Sequence, residues 1–334
     1  MILPCWKFFS FLAAARLCEL NDPESDITTW WHENSVVNTN TSVAADEVRR
    51  SRRYNVSVSL AGEDDFHHSF VYESIPRNGN GKMSDPAQPE EEYDFADGDG
   101  ITIEAVEGIN MDWTQFIYRK DVDVRIVTTD GSSIVTVSNV VIRPVDLGFT
   151  VKRPKYNTVL IRVPYQKSGT RFSVEFKDDL FTEEPRNGLI IFASPPLPKD
   201  LIPSKTSSNI QVIRPGKMTQ DTFGSKPTMI FESGIHWIEK NGVLGKDHIK
   251  LSPKTHYVYF KPGAYVKAAL EYTTTHPTFL TVGYGVLSGE NYVYVAHTIK
   301  NYTAVKDDRF SLRMFWHQSA MDNQTWHCIG PTLN

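Results

Sequence analysis

The sequence predicts an all-β protein in two parts, an N-terminal antiparallel β-sandwich followed by a right-handed parallel β-helix. Three observations lead there. Runs of β-branched and aromatic residues are short, are broken by Gly, Pro and Ser, and show no 3.6-residue helical period. Between Thr228 and Ala296 the pattern recurs. Phe231-Glu232-Ser233-Gly234-Ile235-His236-Trp237 is followed 29 residues later by Phe260-Lys261-Pro262-Gly263-Ala264-Tyr265-Val266, and Gly285 comes 22 residues after Gly263, ahead of Val286-Leu287. Recurrence at roughly 20–30 residues in an all-strand stretch is how a solenoid reads, because each coil buries its apolar face only by stacking on the next. An ordinary sandwich with recurring turns is the alternative reading of that spacing. Third, about seven short strands precede this stretch at turn-punctuated intervals, the pattern of a sandwich.

Taken in order, Met1 to Cys18 sets Lys7 ahead of an apolar run, Phe8 to Ala15, that ends in small residues. This is the outline of a signal peptide over 1–18, although Arg16 interrupts it and the run is short. Asn21 to about Asp46 is polar and carries Trp30-Trp31-His32, an extended arm expected to pin its two indoles on a neighbouring surface. Tyr54 to Leu60 alternates with period 2, as a half-buried strand does. Ser69–Ile75, Ile101–Glu104, the alternation of Val122, Val124 and Ile126, Ser133–Ser138, Val140–Val145, Thr158–Val163 and Phe172–Lys177 read as further strands. Pro76 to Tyr93, with Asn78-Gly79-Asn80-Gly81 and several Pro, reads as a long loop. The arm and sandwich are assigned to 19–190 and the β-helix to 191–334. The boundary is placed near Phe181 to Pro203, where Pro and charged residues interrupt the strands.

With 334 residues the chain is long enough for two domains. A formal charge of -5, a pI near 6.1 and the lack of a basic stripe argue against a nucleic-acid partner. No apolar run is long enough for a membrane span. With the leader removed after Cys18, Cys328 is the remaining thiol, which excludes an internal disulfide framework and a Cys-based zinc site. Four N-x-S/T sequons, at Asn40, Asn55, Asn301 and Asn323, fit an exported, glycosylated protein, although such triplets also arise by chance.

Chemistry is nearly silent. Glu63-Asp64-Asp65 and Glu90-Glu91-Glu92 read as solvated loop charges. Asp97-Gly98-Asp99-Gly100 lacks the remaining ligands of a calcium loop and reads as a turn. His67-His68 has no partner at metal-ligand spacing. No nucleophile elbow, zinc-protease, P-loop or dinucleotide fingerprint occurs, and no cofactor or metal is expected. Near the C-terminus Trp316, His317, Trp326 and His327 gather with Glu290, Asp307, Asp308 and Asp322. Indoles and carboxylates suit sugar binding, since pyranose faces stack on rings and hydroxyls bond to carboxylates. Strand packing accounts for the Trp residues equally well.

Several segments together resemble glycoside hydrolase family 49, the fungal dextranase and isopullulanase group. They are Thr29-Trp30-Trp31-His32, Asn55 to Gly62, Ser69 to Gly81, Val140 to Val145, Phe172 to Lys177, Ile191 to Pro195, Tyr257 to Tyr272, Gly285 to Tyr294, Ser311 to Met314 and Gln324-Thr325-Trp326. The resemblance runs from about Thr29 to Asn334 and implies a β-sandwich followed by a pectin-lyase-like right-handed β-helix. It also implies a secreted, extracellular monomer that cleaves internal α-1,6-glucosidic bonds of dextran with inversion, its partner being an α-glucan, dextran or pullulan. An isopullulanase-type specificity is the alternative.

The departures carry equal weight. The family's catalytic aspartates lie in later coils of the β-helix, beyond the stretch matching Ile329-Gly330-Pro331-Thr332, so no catalytic residue is expected among these 334. The family's cysteine pair ahead of Trp-Trp-His is also unmatched. An unfinished β-helix would expose an apolar last coil and an open strand edge. The chain therefore reads as the N-terminal part of such a hydrolase, or as a non-catalytic carbohydrate-binding or vestigial fragment. Glu290, Trp316 and Trp326 are its candidate substrate-binding residues.

Overall fold

A computed structural model of the chain describes residues 18–20, 25–39, 44–74, 110–129, 139–155, 157–177, 179–181, 184–185, 187–204, 207–238, 248–290, 296–297, 303–304, 315–317 and 323–333. The leader expected over 1–18, save Cys18, lies outside them. So do the loop 76–93, Asp97 to Gly100, and the strands expected at Ile101–Glu104 and Ser133–Ser138.

The period-2 runs form the sandwich. One sheet has the order Thr150–Lys155, Thr158–Val163, Val122–Thr128, Tyr54–Leu60, His67–Ser69, antiparallel throughout. The register sets Val56 opposite Ile126 and Val58 opposite Val124, so the β-branched residues share one face. The second sheet runs Val140–Arg143, Thr170–Phe176, Asn187–Ser194, Asn110–Tyr118, Ile27–Thr28, with Val71–Glu73 also pairing with Asn110–Tyr118. Within it, Asn187–Ser194 runs parallel to Asn110–Tyr118, and the other pairs are antiparallel. Phe116, Tyr118, Phe172, Val174, Leu189 and Ile191 meet the valines of the first sheet in one buried core.

From Ile210 the stacked strands pair in parallel, in three faces, while the short pair Ala296–His297 and Thr303–Ala304 outside them is antiparallel. Face A stacks Ile210–Ile213, Thr228–Phe231, Tyr257–Phe260, Thr278–Gly283 and Thr325–Ile329. Face B stacks Gly216–Met218, Gly234–Ile238, Ala264–Lys267, Val286–Ser288 and Thr332–Leu333, and face C stacks His248–Lys250, Ala269–Tyr272 and Phe315–His317. Phe231 is in register with Phe260, and their rings stack 5.0 Å apart. The recurrence at 29 residues in the sequence is thus a true coil repeat. The turn of the later coil takes up one extra residue, so Gly234 pairs with Ala264 rather than Gly263. The turn from face A to face B carries a glycine at positive φ in each coil, Gly216, Gly234, Gly263, Gly283 and Gly330. At Gly283 the reason is space as well as φ, since a Cβ there would lie 1.9 Å from Phe260 O.

The sandwich and the β-helix share a buried seam. Tyr72 and Trp113, on the outer face of the second sheet, and Phe70, just ahead of the strand Val71–Glu73, pack against Ile235, Tyr265 and Val286 of face B. Tyr72 stacks on Trp113 at 5.2 Å and on Tyr265 at 5.4 Å. The arm does what its indoles suggested. Trp30 is buried with Ile117 and Tyr284 and donates its Nε1–H to Tyr72 OH, while Trp31 packs edge-on to Phe70 beneath the Arg50 guanidinium. At the other end of face A, Thr325–Ile329 is exposed along its length, and Trp326, Ile329 and Leu333 are exposed large apolar residues.

Candidate functional site

The densest buried polar group lies on the seam. Face B alternates, so Ala264 and Val266 enter the coil interior while Tyr265 and Lys267 point at the sandwich. Lys267 and Glu290 are buried there, with Lys267 Nζ 2.5 Å from Glu290 Oε1. Tyr265 OH donates to Glu290 Oε2 at 3.0 Å, Ser288 Oγ donates to the same oxygen at 3.3 Å, and Lys267 also donates to Ala44 O of the arm. Burial alone would raise the Glu290 carboxyl. The Lys267 ammonium, Arg49 and the hydrogen bonds outweigh it and hold the group below its ordinary value. Burial, with Glu290's charge beside it, pushes the Tyr265 phenol up. Glu290, read from the sequence as a substrate residue, therefore spends both oxygens inside the protein.

Trp326 is in register with Phe279 and stacks on it at 6.0 Å and 8°, with its Nε1–H donated to Thr281 Oγ1 and Phe315 against its edge. It continues the interior stack of face A and is 42% exposed. Trp316 lies on face C, its backbone in register with Glu271. Glu290, Trp316 and Trp326 thus sit on three different faces or margins of the coil rather than in one site. Of the sequons, Asn55 lies within the strand Tyr54–Leu60 and accepts from Arg50 Nη2 at 2.8 Å. Asn323 is exposed at φ 66°, in the turn before Thr325–Ile329. Asn40 and Asn301 lie outside the described residues, as do Asp307, Asp308 and Asp322.

Sequence reasoning missed one pair of carboxylates. Glu73 and Asp112 are directly opposite in register, and each is 1% exposed. Glu73 is held by Arg52 at 3.0 Å. Burial first, and then Glu73's charge, pushes the Asp112 carboxyl well above the carboxylate range. A carboxyl pushed up by burial beside a second carboxyl group is a pattern that acid–base sites use. Here both are sealed from solvent, so no substrate reaches them. The residues are far apart in sequence, and only the strand pairing of Val71–Glu73 with Asn110–Tyr118 joins them. Among the described residues, the other buried carboxylates are tied to cations, Asp123 to Arg162, Glu175 to Arg143 and Glu271 to Lys250. No group of three His, Cys, Asp or Glu among them could hold a metal ion.

A sandwich joined to a parallel β-helix through a seam of stacked aromatics can now be set beside known proteins. The family model described as the glycosyl hydrolase family 49 N-terminal Ig-like domain matches residues 19–196, more than half of the chain. The chain belongs to glycoside hydrolase family 49. It is 46% identical to a dextranase of Talaromyces minioluteus, over 93% of this chain and 55% of that protein. It is 37% identical to an isopullulanase of Aspergillus niger, over 93% of this chain and 52% of that protein. Among solved structures it superposes on Dex49A from Penicillium minioluteum with a TM-score of 0.76 and 45% identity, covering 92% of this chain and 58% of that one. The chain thus spans about half the length of the family 49 relatives it matches. The likeness to Dex49A agrees with the all-β architecture, sandwich then β-helix, predicted from the sequence.

Proposed function

We propose that this chain forms the sandwich and first β-helix coils of a dextranase-type hydrolase that cleaves internal α-1,6-glucosidic bonds with inversion. The acid and base of that reaction are assigned outside these 334 residues. The observation that carries the reading is the identity of 46% to the T. minioluteus dextranase across nearly the whole chain, against 37% to the isopullulanase. The geometry supports it. Inversion needs two accessible carboxyls roughly 6.5–9.5 Å apart with a water between them. The buried carboxylates described above are each committed to a cation or sealed in the sandwich.

In this reading Glu290, Trp30 and Tyr265 fix the sandwich against the β-helix, and Trp326 is a packing residue. The family's substrate class makes export the expected route, with the leader over 1–18 removed and the exposed sequon at Asn323 available for a glycan. The test is a chimera in which this chain replaces the matched part of the T. minioluteus dextranase. The reading predicts reducing ends from dextran rather than pullulan, with the inverted anomer seen first by proton NMR. A folded chimera that acts on pullulan alone, or on neither polymer, would overturn it.

A further inference from the structure

Where face C turns into face A there is a cleft of about 580 Å³. That size lies within the range of roughly 300–1,000 Å³ found for small-molecule sites. Gln220 and Phe223 come from one coil, Lys250 and Ser252 from the next, and Thr273 from the one after, so the cleft runs along the helix axis. A ligand that fills it is elongated.

Its walls are fixed in advance. Gln220 Nε2 donates to Lys250 O at 2.9 Å, and Lys250 N–H donates to Gln220 Oε1 at 3.3 Å, which clamps two coils together at the rim. Thr273 Oγ1 donates to Leu251 O, so its oxygen keeps lone pairs with which to accept. Ser252 Oγ accepts from Lys254 N–H, which leaves its own O–H to donate. Phe223 is half-buried, packed against the interior cluster of the coil and lining the cleft.

Charge narrows the ligand class. Lys250 Nζ lies 3.5 Å from Glu271 Oε1, a carboxylate that is itself only 5% exposed. The ammonium is thereby balanced, and the cleft holds no surplus positive charge for a phosphate or a uronic acid. An aromatic ring flanked by hydroxyls, an amide and a neutralised ion pair suits a neutral polyhydroxylated chain, with its C–H face on the ring and its hydroxyls on the rim.

We propose that this cleft is a binding subsite for a short stretch of neutral α-glucan, with Phe223 as its stacking ring and Lys250, Ser252 and Thr273 as its hydrogen-bonding rim. It deepens the α-glucan reading above and rests on it. The subsite would hold the polymer along the axis of the coils, whatever bond is cut further on.

The experiment is calorimetric titration of the 334-residue chain with isomaltotetraose, maltotetraose and cellotetraose, repeated on Phe223→Ala and Ser225→Trp. Ser225 is exposed at the cleft mouth, so a Trp there fills the cleft without touching the core. This keeps the test informative should Phe223→Ala unfold. The proposal predicts saturable binding of an α-linked tetraose and a loss of affinity of about tenfold or more, equivalent to about 1.4 kcal/mol, in both folded variants. Binding of the α-linked tetraose that neither variant weakens would overturn the subsite and leave the α-glucan reading standing. Binding of cellotetraose alone, weakened by both variants, would make the cleft a sugar site and overturn the α-glucan assignment. No heat with any tetraose would overturn the subsite.

Discussion

Lys267 and Glu290 meet at 2.5 Å on the seam between the sandwich and the β-helix, with side chains 1% and 4% exposed. An ion pair buried this fully returns little net stability when intact, because both charges are desolvated, but breaking one side strands the other. Lys267→Met alone is expected to destabilise the protein by about 3–5 kcal/mol. Lys267→Met combined with Glu290→Leu is expected to recover most of that loss. Urea unfolding of the three proteins checks this. A double variant no more stable than the single one would mean that the pair does not act as a unit.

Acid should loosen the fold in a defined window. Burial pushes His32 down to about 3 and His236 to about 4. Both stay neutral in the folded state while the unfolded chain takes up protons below about 6.5. Their folded values are depressed, so their contribution is fully present above 6.5 and falls as the pH drops towards 4, by about 1.4 kcal/mol per pH unit per histidine. Glu290 adds the same sign, since its depressed carboxyl loses its contribution as it protonates. Urea midpoints measured from pH 7 to 4 check the slope, and His236→Gln should flatten it. An unchanged slope in that variant would contradict the assignment.

The glycine turns are not equivalent. Gly283→Ala sets a Cβ 1.9 Å from Phe260 O at φ 135°, whereas Gly216→Ala at φ 133° meets nothing within 4 Å. Gly216→Ala is expected to cost about 1–3 kcal/mol from backbone strain alone. Gly283→Ala is expected to cost distinctly more and to lower soluble yield. Thermal melts of the two variants, compared side by side, decide it.

Glycan mapping separates the sequons. Asn323 is exposed in a left-handed turn, while Asn55 sits in a central strand with its side-chain oxygen bonded to Arg50. Secretion from a fungal host should give occupancy at Asn323 and little at Asn55, read by peptide mass spectrometry after enzymatic deglycosylation in heavy-oxygen water. Full occupancy at Asn55 would show that the strand is reached by the glycosylation machinery before it folds.

Much of this fold is legible because its signals are local. Tyr54–Leu60 and Thr158–Val163 have the same ends in sequence and structure, and in each the apolar residues at every second position enter the sandwich core. The glycine turns recur because each coil needs the same backbone conformation. Asn110–Tyr118 escapes the sequence reading for a physical reason. Phe116 and Tyr118 enter the sandwich core, Trp113 and Ile117 enter the seam with the β-helix, and Asp112, Thr114 and Gln115 are buried with them, so no period-2 contrast survives. The site residues are harder still. Glu290 is visible as a carboxylate among aromatics, but Lys267 reaches it only once two coils have stacked. Phe223 and Ser252, in different coils, become neighbours in the same way.

The central claim is that these residues supply scaffold and substrate grip but not the acid–base pair. The most direct test is reducing-end release from dextran, with pullulan in parallel, by the purified 334-residue chain verified as folded by circular dichroism. The account predicts no release above a heat-killed control. Release that is proportional to protein and lost on unfolding would mean that an acid–base pair lies within these 334 residues, and would contradict it.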